Sequence, residues 1–191
     1  MARVADRQPE AEVLEPSPLP ITVEQYHQMA DLGMFRGKRV QLINGYMIRM
    51  PAMKDPHFAA LVNLNQRFQQ ALGGVAVIAQ QSPIRVANSQ SEPEPDFALV
   101  RREDYEGKVF VSSQLFLVVE ISDATLKLDQ SEKLAIYASE GIPEYWIVNL
   151  RDNLLEVYTD PEGSGYLTRH TLKPGQSAAP KTFPNVQIEW W

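Results

Sequence analysis

One run constrains this chain more than any other feature: Leu115-Phe-Leu-Val-Val-Glu-Ile-Ser122, its most hydrophobic stretch. Apolar residues occupy successive positions there, so no solvent-facing side is left. A strand of that kind belongs inside a sheet covered on both faces. A second run, Glu144-Tyr-Trp-Ile-Val-Asn-Leu150, has the same character. Between them Asp129 suits the cap of a helix to Ser139, which Gly141-Ile-Pro143 stops. Strand, helix and strand over 115–149 predict a right-handed parallel crossover.

The rest of the chain punctuates itself around that unit. Residues 1–20 hold Pro9, Pro16, Pro18 and Pro20 among acidic and small residues and read as a poorly ordered or extended arm. Residues 21–191 are then expected to form one domain. Thr22, with Gln25 three positions on, is a capping-box pattern for a helix to about Leu32. Asn44-Gly45 between Arg39–Ile43 and Tyr46–Met50 is a strong hairpin signal. Asp55-Pro56 opens a second helix, with Phe58, Leu61, Val62, Leu64, Phe68 and Leu72 at helical spacing and Gly73-Gly74 at its end. Residues 75–86 read as a strand or a bent pair, 87–95 as a polar loop, and 96–101 as a strand. Segments 154–159, 166–172 and 186–190 alternate like antiparallel strands, with a turn at Asp160-Pro-Glu-Gly163. The expected fold is α/β: a mixed sheet flanked by helices, with hairpins toward the N-terminal side and a β-rich C-terminus.

Three ionisable residues break this pattern. Asp96 opens an apolar strand, Glu120 interrupts the most hydrophobic one, and Lys133 lies in the first turns of the following helix. A charge in such a setting costs several kcal/mol unless it is paired or bound to a metal. Alternation along 115–122 puts Phe116, Val118, Glu120 and Ser122 on one face, opposite Leu115, Leu117, Val119 and Ile121. Glu120 thus sits near the carboxyl end of a buried strand, where open α/β sheets tend to hold ligands. Asp96, sharing a face with Ala98 and Val100, can approach it if the two strands pair. Two carboxylates can hold Mg²⁺, which prefers oxygen ligands and keeps several waters. Lys133 and Tyr137, one turn apart on a helix, could reach the same place. Each residue alone has a plainer reading. Asp after Pro is commonly a turn or cap residue, Glu at a strand end commonly pairs with Arg or Lys, a helical Lys is commonly solvated, and Tyr137 could simply pack. Only the triplet in this order points to a metal site for phosphodiester hydrolysis. The residues leave open a hydrolase of small phosphoesters.

Composition narrows the classes. With no cysteine, thiolate metal sites, disulfides and cysteine nucleophiles are excluded. No apolar run approaches the roughly 18 residues of a membrane span, and no hydrophobic signal segment opens the chain, so a cytoplasmic protein without membrane contact is expected. The net charge of −6 argues against an obvious nucleic-acid binder, although binding depends on where the basic residues lie.

Pro95-Asp96, Val118-Val-Glu120-Ile-Ser, Asp129-x-x-x-Lys133, Tyr137-Ala138 and Gly141-Ile-Pro-Glu-Tyr-Trp-Ile-Val148 together resemble the Uma-two family of restriction endonucleases, a branch of the PD-(D/E)xK nuclease superfamily. The likeness runs from about Thr22 to Trp190. It implies a restriction-endonuclease-like domain that cuts DNA with Mg²⁺, or Mn²⁺ in its place, and no organic cofactor. It implies Asp96 and Glu120 as metal ligands and Lys133 as the catalytic lysine, carried on the helix because Ser122 stands where other branches place it. Asp129 and Tyr137 would support the site. His57 falls where such proteins often carry a histidine, although alone it reads as a helix-start hydrogen-bonding residue. Cutting both strands of a duplex suggests a homodimer.

One position departs. The family's first hairpin typically reads Tyr-Glu-Leu-Ile-Asp-Gly-Glu, and here it reads Val40-Gln41-Leu-Ile-Asn-Gly-Tyr46. Gln41 keeps a carbonyl but not a charge. This supports a rival expectation, a catalytically weakened nuclease fold serving as a nucleic-acid-binding or structural module.

Overall fold

The computed structural model describes residues 17–87, 89–105 and 107–190, so most of the arm expected at 1–20 lies outside the described residues. Six strands form the main sheet: β3 (Ala76–Gln80), β4 (Phe97–Arg101), β5 (Leu115–Ser122), β6 (Glu144–Asn149), β7 (Leu154–Glu162) and β8 (Gly165–Leu172), lying side by side in that order. The β5–β6 pair is parallel and the others antiparallel, so the sheet is mixed. Every residue of β5 and β6 is buried, as their unbroken apolar runs require. A hairpin of β1 (Val40–Ile43) and β2 (Tyr46–Arg49) and a small pair of β9 (Ser177–Ala178) and β10 (Ile188–Glu189) stand apart from this sheet.

Helices cover both faces. Helix α1 (Val23–Asp31) starts at the expected Thr22–Gln25 capping box. Helix α2 (Asp55–Leu72) lays Leu61, Leu64, Phe68 and Leu72 on a face made by Phe97, Leu117, Val119, Ile121 and Trp146. On the other face, Ile136 and Tyr137 pack with Val118, Tyr145, Ile147 and Tyr158. They come from a helical segment built in three parts: α3 (Leu126–Leu128), a π-helical turn (Asp129–Lys133) and α4 (Leu134–Ser139).

Four details differ from the sequence expectation. A bulge lies between β4 and β5, with Leu99 opposite Leu117 but Val100 opposite Leu115. Phe116 is the extra residue, and it swaps sides with Leu115: Phe116 joins the α2 core and Leu115 the opposite one. A bulge adds one residue and resets the period-two alternation. The run 75–86 is one strand that ends at Gln80, because Gln81 adopts φ 46° and turns the chain; Arg85 then bridges to Val111. Of 186–190 only Ile188 and Glu189 pair as a strand, while Trp190 fills the α2-side core. Finally, the 126–139 segment starts one turn before Asp129, so Asp129 is inside it and is not its cap.

Residues 17–20 run along the N-terminal hairpin, where the Ile21 amide donates to the Gly45 carbonyl at 2.9 Å. Gly45 has φ +79°, and a Cβ there would lie 2.6 Å from Pro20 Cβ and 3.2 Å from the Ile21 carbonyl. Gly45→Ala is therefore expected to lower the unfolding free energy by about 1–3 kcal/mol, read from the urea midpoint at unchanged m-value. A wild-type midpoint would remove this account of the turn.

Candidate active site

Antiparallel pairing of β4 and β5 sets Phe97 opposite Val119, so Asp96, just before β4, falls beside the Glu120–Ile121 end of β5. Its Oδ2 accepts the Ile121 amide at 2.8 Å, while Oδ1 meets His57 Nε2 at 3.0 Å and Gln81 Nε2 at 3.3 Å. His57 lies in the first turn of α2. Three different elements therefore aim one carboxylate. Burial acts to raise the Asp96 pKa, but the His57 interactions and the bonds from Ile121 and Gln81 outweigh it, and the carboxyl ends below its ordinary value.

Glu120, on the opposite face from Ile121, points toward the helical segment. Its Oε1 accepts Lys133 Nζ at 2.9 Å and Tyr137 OH at 2.7 Å. No hydrogen bond reaches Oε2 among the described residues. The π-helical turn brings Asp129, Lys133 and Tyr137 inward together, and Lys133 Nζ also lies 3.4 Å from Asp129 Oδ1. Asp129 Oδ2 takes the hydroxyls of Ser122 at 2.7 Å and Thr125 at 2.6 Å. Asp129 is thus a buried counter-charge to Lys133, which corrects its expected role as helix cap.

Burial pushes the Glu120 carboxyl up to about 8, and Asp129 and Asp96 add to this against the pull of Lys133. Burial works to lower the Lys133 ammonium, but Glu120 and Asp129 together more than offset it, so its pKa ends above the ordinary lysine value. The Tyr137 hydroxyl is held far above its ordinary value by burial and by the carboxylate it donates to.

Asp96, Glu120, His57 and Gln41 all line one open cleft, with Arg39, Lys54, Glu94 and Asp123 also on its walls. Lys133 does not line it and is 1% exposed: it stands behind Glu120. Gln41 is equally buried, and its Nε2 donates to the Glu94 carbonyl at 3.1 Å. The Gln41 Oε1 atom has no hydrogen-bond partner.

Sequence reasoning missed Glu94, Gln81, Thr125 and Arg39. Two of these left a signal. Glu94 is held between Pro93 and Pro95 two residues before Asp96, and Arg39 shares a strand face with Gln41. Nothing in the sequence announces that Gln81 would turn the chain and reach Asp96.

Among the described residues, no three His, Cys, Asp or Glu side chains converge as a ready metal cage. The donor set still fits a hard cation. Glu120 Oε2 is without a hydrogen bond, Asp96 Oδ2 has spare acceptor capacity, and the orphaned Gln41 Oε1 supplies a third oxygen on the same cleft. Mg²⁺ binds through one or two carboxylates and completes its shell with water and substrate oxygens.

A mixed sheet flanked by helices carries Asp96 just before β4 and Glu120 near the end of β5. The crystal structure of a putative nuclease belonging to DUF820 from Anabaena variabilis ATCC 29413 has this fold: its TM-score is 0.68 at 12% identity, covering 89% of this chain and 95% of that one. The chain belongs to the Uma2 family, described as "Putative restriction endonuclease", whose model matches residues 23–190. No curated protein matches the sequence. Among the described residues no helix is long and apolar enough to cross a membrane.

The raised Glu120 pKa makes a signed prediction. A carboxyl whose folded pKa lies near 8 binds more protons folded than unfolded between about pH 4.5 and about 8, so stability falls as pH rises through that window. Glu120→Gln keeps an Oε1 acceptor for Lys133 and Tyr137 but has no proton to lose. Urea unfolding across that window should show the wild-type decline flattened in the variant. Parallel curves would mean that Glu120 stays ionised throughout.

Proposed function

We propose that this protein is a Mg²⁺-dependent endonuclease that hydrolyses phosphodiester bonds in DNA. The observation that carries the reading is the division of labour at Glu120. One oxygen is locked by Lys133 and Tyr137, and the other is left unbonded on a residue that shares a cleft with Asp96. Asp96 Oδ2, Glu120 Oε2 and Gln41 Oε1 would hold the ion. When bound, it supplies Lewis acidity toward phosphate oxygens and acidifies nearby water.

The chain's own residues set up the rest. His57, Gln81 and the Ile121 amide fix the Asp96 carboxylate before any ligand arrives. Lys133 fixes the direction of Glu120 and places a positive charge behind that carboxylate. Asp129, braced by Ser122 and Thr125, keeps that ammonium in place. Water attacks phosphorus and gives up a proton to solvent, the P–O bond to the departing oxygen breaks, and that oxygen takes up a proton from solvent. A duplex has two strands, and a two-fold pair of chains would provide a cleft for each.

Two observations favour the second reading, a weakened nuclease fold that binds without cutting. Position 41 carries no charge, and Lys133 faces away from the cleft with its ammonium committed to Glu120 and Asp129.

Calorimetric titration of Mg²⁺ should show binding to wild type that is lost in Asp96→Asn; absent binding in wild type would sink the metal assignment. Gln41→Glu separates the two readings. A glutamate there turns an acceptor against the Glu94 carbonyl, so the metal-free variant should be less stable by about 1–3 kcal/mol and should regain that stability in Mg²⁺. On supercoiled plasmid it should cut at least about tenfold faster than wild type, as an added charge on the ion's ligand set would favour. If neither protein cuts DNA that both bind, the binding-module reading takes over.

A further inference from the structure

We propose that the β1–β2 hairpin and its flanks, residues 36–54, form the wall that grips the phosphate backbone of DNA beside the cleft; this rests on the nuclease reading and names the surface that presents its substrate. Within 36–54 stand Arg36, Lys38, Arg39, Arg49 and Lys54 and no acidic residue. The chain as a whole is −6, so this short segment is basic while the rest holds thirteen basic residues against twenty-four acidic ones. Such a segregation of charge is an electrostatic footprint even when the net sign is wrong for a nucleic-acid binder.

The fold places three of these charges at or beside the candidate site. Arg39 and Gln41 are two apart along an extended strand, which the Met50 amide continues to Arg39 by donating to its carbonyl at 2.9 Å, so both side chains take the same face. Both line the cleft with Asp96 and Glu120, and Lys54 joins them from the start of α2. Arg49 lies on the adjoining open groove, which shares Met50, Pro51 and Ala52 with the cleft. All five side chains are exposed. Among the described residues no carboxylate forms an ion pair with Arg36, Lys38, Arg39 or Arg49, and Lys54 reaches only the half-exposed Asp123, at 3.8 Å. Elsewhere on the surface Arg67, Arg151, Arg169 and Lys181 each have a carboxylate partner, while exposed Lys127 and Lys173 are isolated single cations. Arg39 feels the Glu94 carboxylate across the cleft wall, and Arg49, opposite Val40, takes the other face of the hairpin from Arg39 and Gln41, so the segment offers basic groups on both of its faces to a polyanion. Arginine in particular matches phosphate through its planar fork. Contacts of this kind set the register of the duplex and carry no base information.

The test is fluorescence anisotropy on two mixed-sequence duplexes of unrelated sequence, across a salt series, in EDTA and again with Ca²⁺. Arg39→Gln with Arg49→Gln should weaken binding equally for both sequences and reduce the slope of log K against log salt by about 2, near 0.9 for each lost phosphate contact. Lys173→Gln, a single exposed cation between β8 and β9, should leave the slope at its wild-type value. A double variant with the wild-type slope, or a Lys173→Gln loss per charge as large as that of the double variant, would overturn the assignment of the hairpin while plasmid cleavage by wild type kept the nuclease reading alive. If wild type bound no duplex at low salt and cut none, both would fall together.

Discussion

Everything at the candidate site depends on a lysine ammonium held inside the sheet–helix interface between two carboxylates. Lys133 lies 2.9 Å from Glu120 and 3.4 Å from Asp129, and all three are almost fully buried. Breaking such a cluster by removing one partner costs about 3–5 kcal/mol, because the remaining charges have no water to turn to. The cluster therefore pins the helical segment to β5. It also explains the hydroxyl ring around it. Ser122 and Thr125 both donate to Asp129 Oδ2, and Tyr137 donates to Glu120 Oε1. Replacing a buried ion pair by apolar residues of similar volume is often neutral or stabilising, so stability alone does not account for the cluster; Glu120 is its member on the cleft, and Lys133 holds it there.

The two faces of the sheet divide the work. The α2 face is hydrocarbon and aromatic packing, with Phe68 edge-on to Phe97 at 5.3 Å and against Trp146 at 6.1 Å. Its Trp146 indole donates to Glu144 Oε1 at 2.7 Å, and the face as a whole supplies the apolar burial that drives folding. The opposite face is a tyrosine layer: Tyr137, Tyr145, Tyr158 and Tyr166 contact one another, and each hydroxyl finds an acceptor. A layer of rings with polar rims can stand next to buried charge, which a wholly aliphatic layer would penalise. The π-helical turn belongs to this face. Within it Asp129 and Lys133, four residues apart and so on one side of the helix, both turn inward.

Most of the architecture was legible because it rests on local rules. The Asn44-Gly45 hairpin, the Thr22–Gln25 cap, the Pro56 start of α2 and the double-sided apolar runs of β5 and β6 each follow from turn chemistry or from burial alone. Asp96, Glu120 and Lys133 were legible for the opposite reason: they violate those rules. What could not be read depends on tertiary contact. The bulge that moves Phe116 to the α2 side is a mismatch between two strands far apart in sequence, and periodicity cannot anticipate it. Asp129 looked like a cap because Asp favours caps. Its side chain goes instead to Ser122, Thr125 and Lys133, and the helix begins a turn earlier at a residue without a side-chain cap. Gln81 offers no composition signal for a positive φ, since the strain there is offset by the bonds its amide and side chain make to Asp96.

Gln41 shows how closely the chemistry of the cleft depends on a backbone hydrogen bond. An amide at this position has a donor as well as an acceptor, and the Glu94 carbonyl takes the donor. That choice fixes the rotation of the side chain and leaves Oε1 as the end without a partner. A glutamate would have two acceptors and would face that carbonyl with like polarity unless a cation stood between them. The substitution therefore makes the resting protein less dependent on an ion at this wall than a carboxylate would. It keeps one neutral oxygen for a ligand and removes one charge from a cleft that already contains Asp96, Glu120, Glu94 and Asp123. A site with fewer negative charges holds a divalent ion less tightly and repels incoming phosphate less. Position 41 thus trades grip on the metal against access for the substrate.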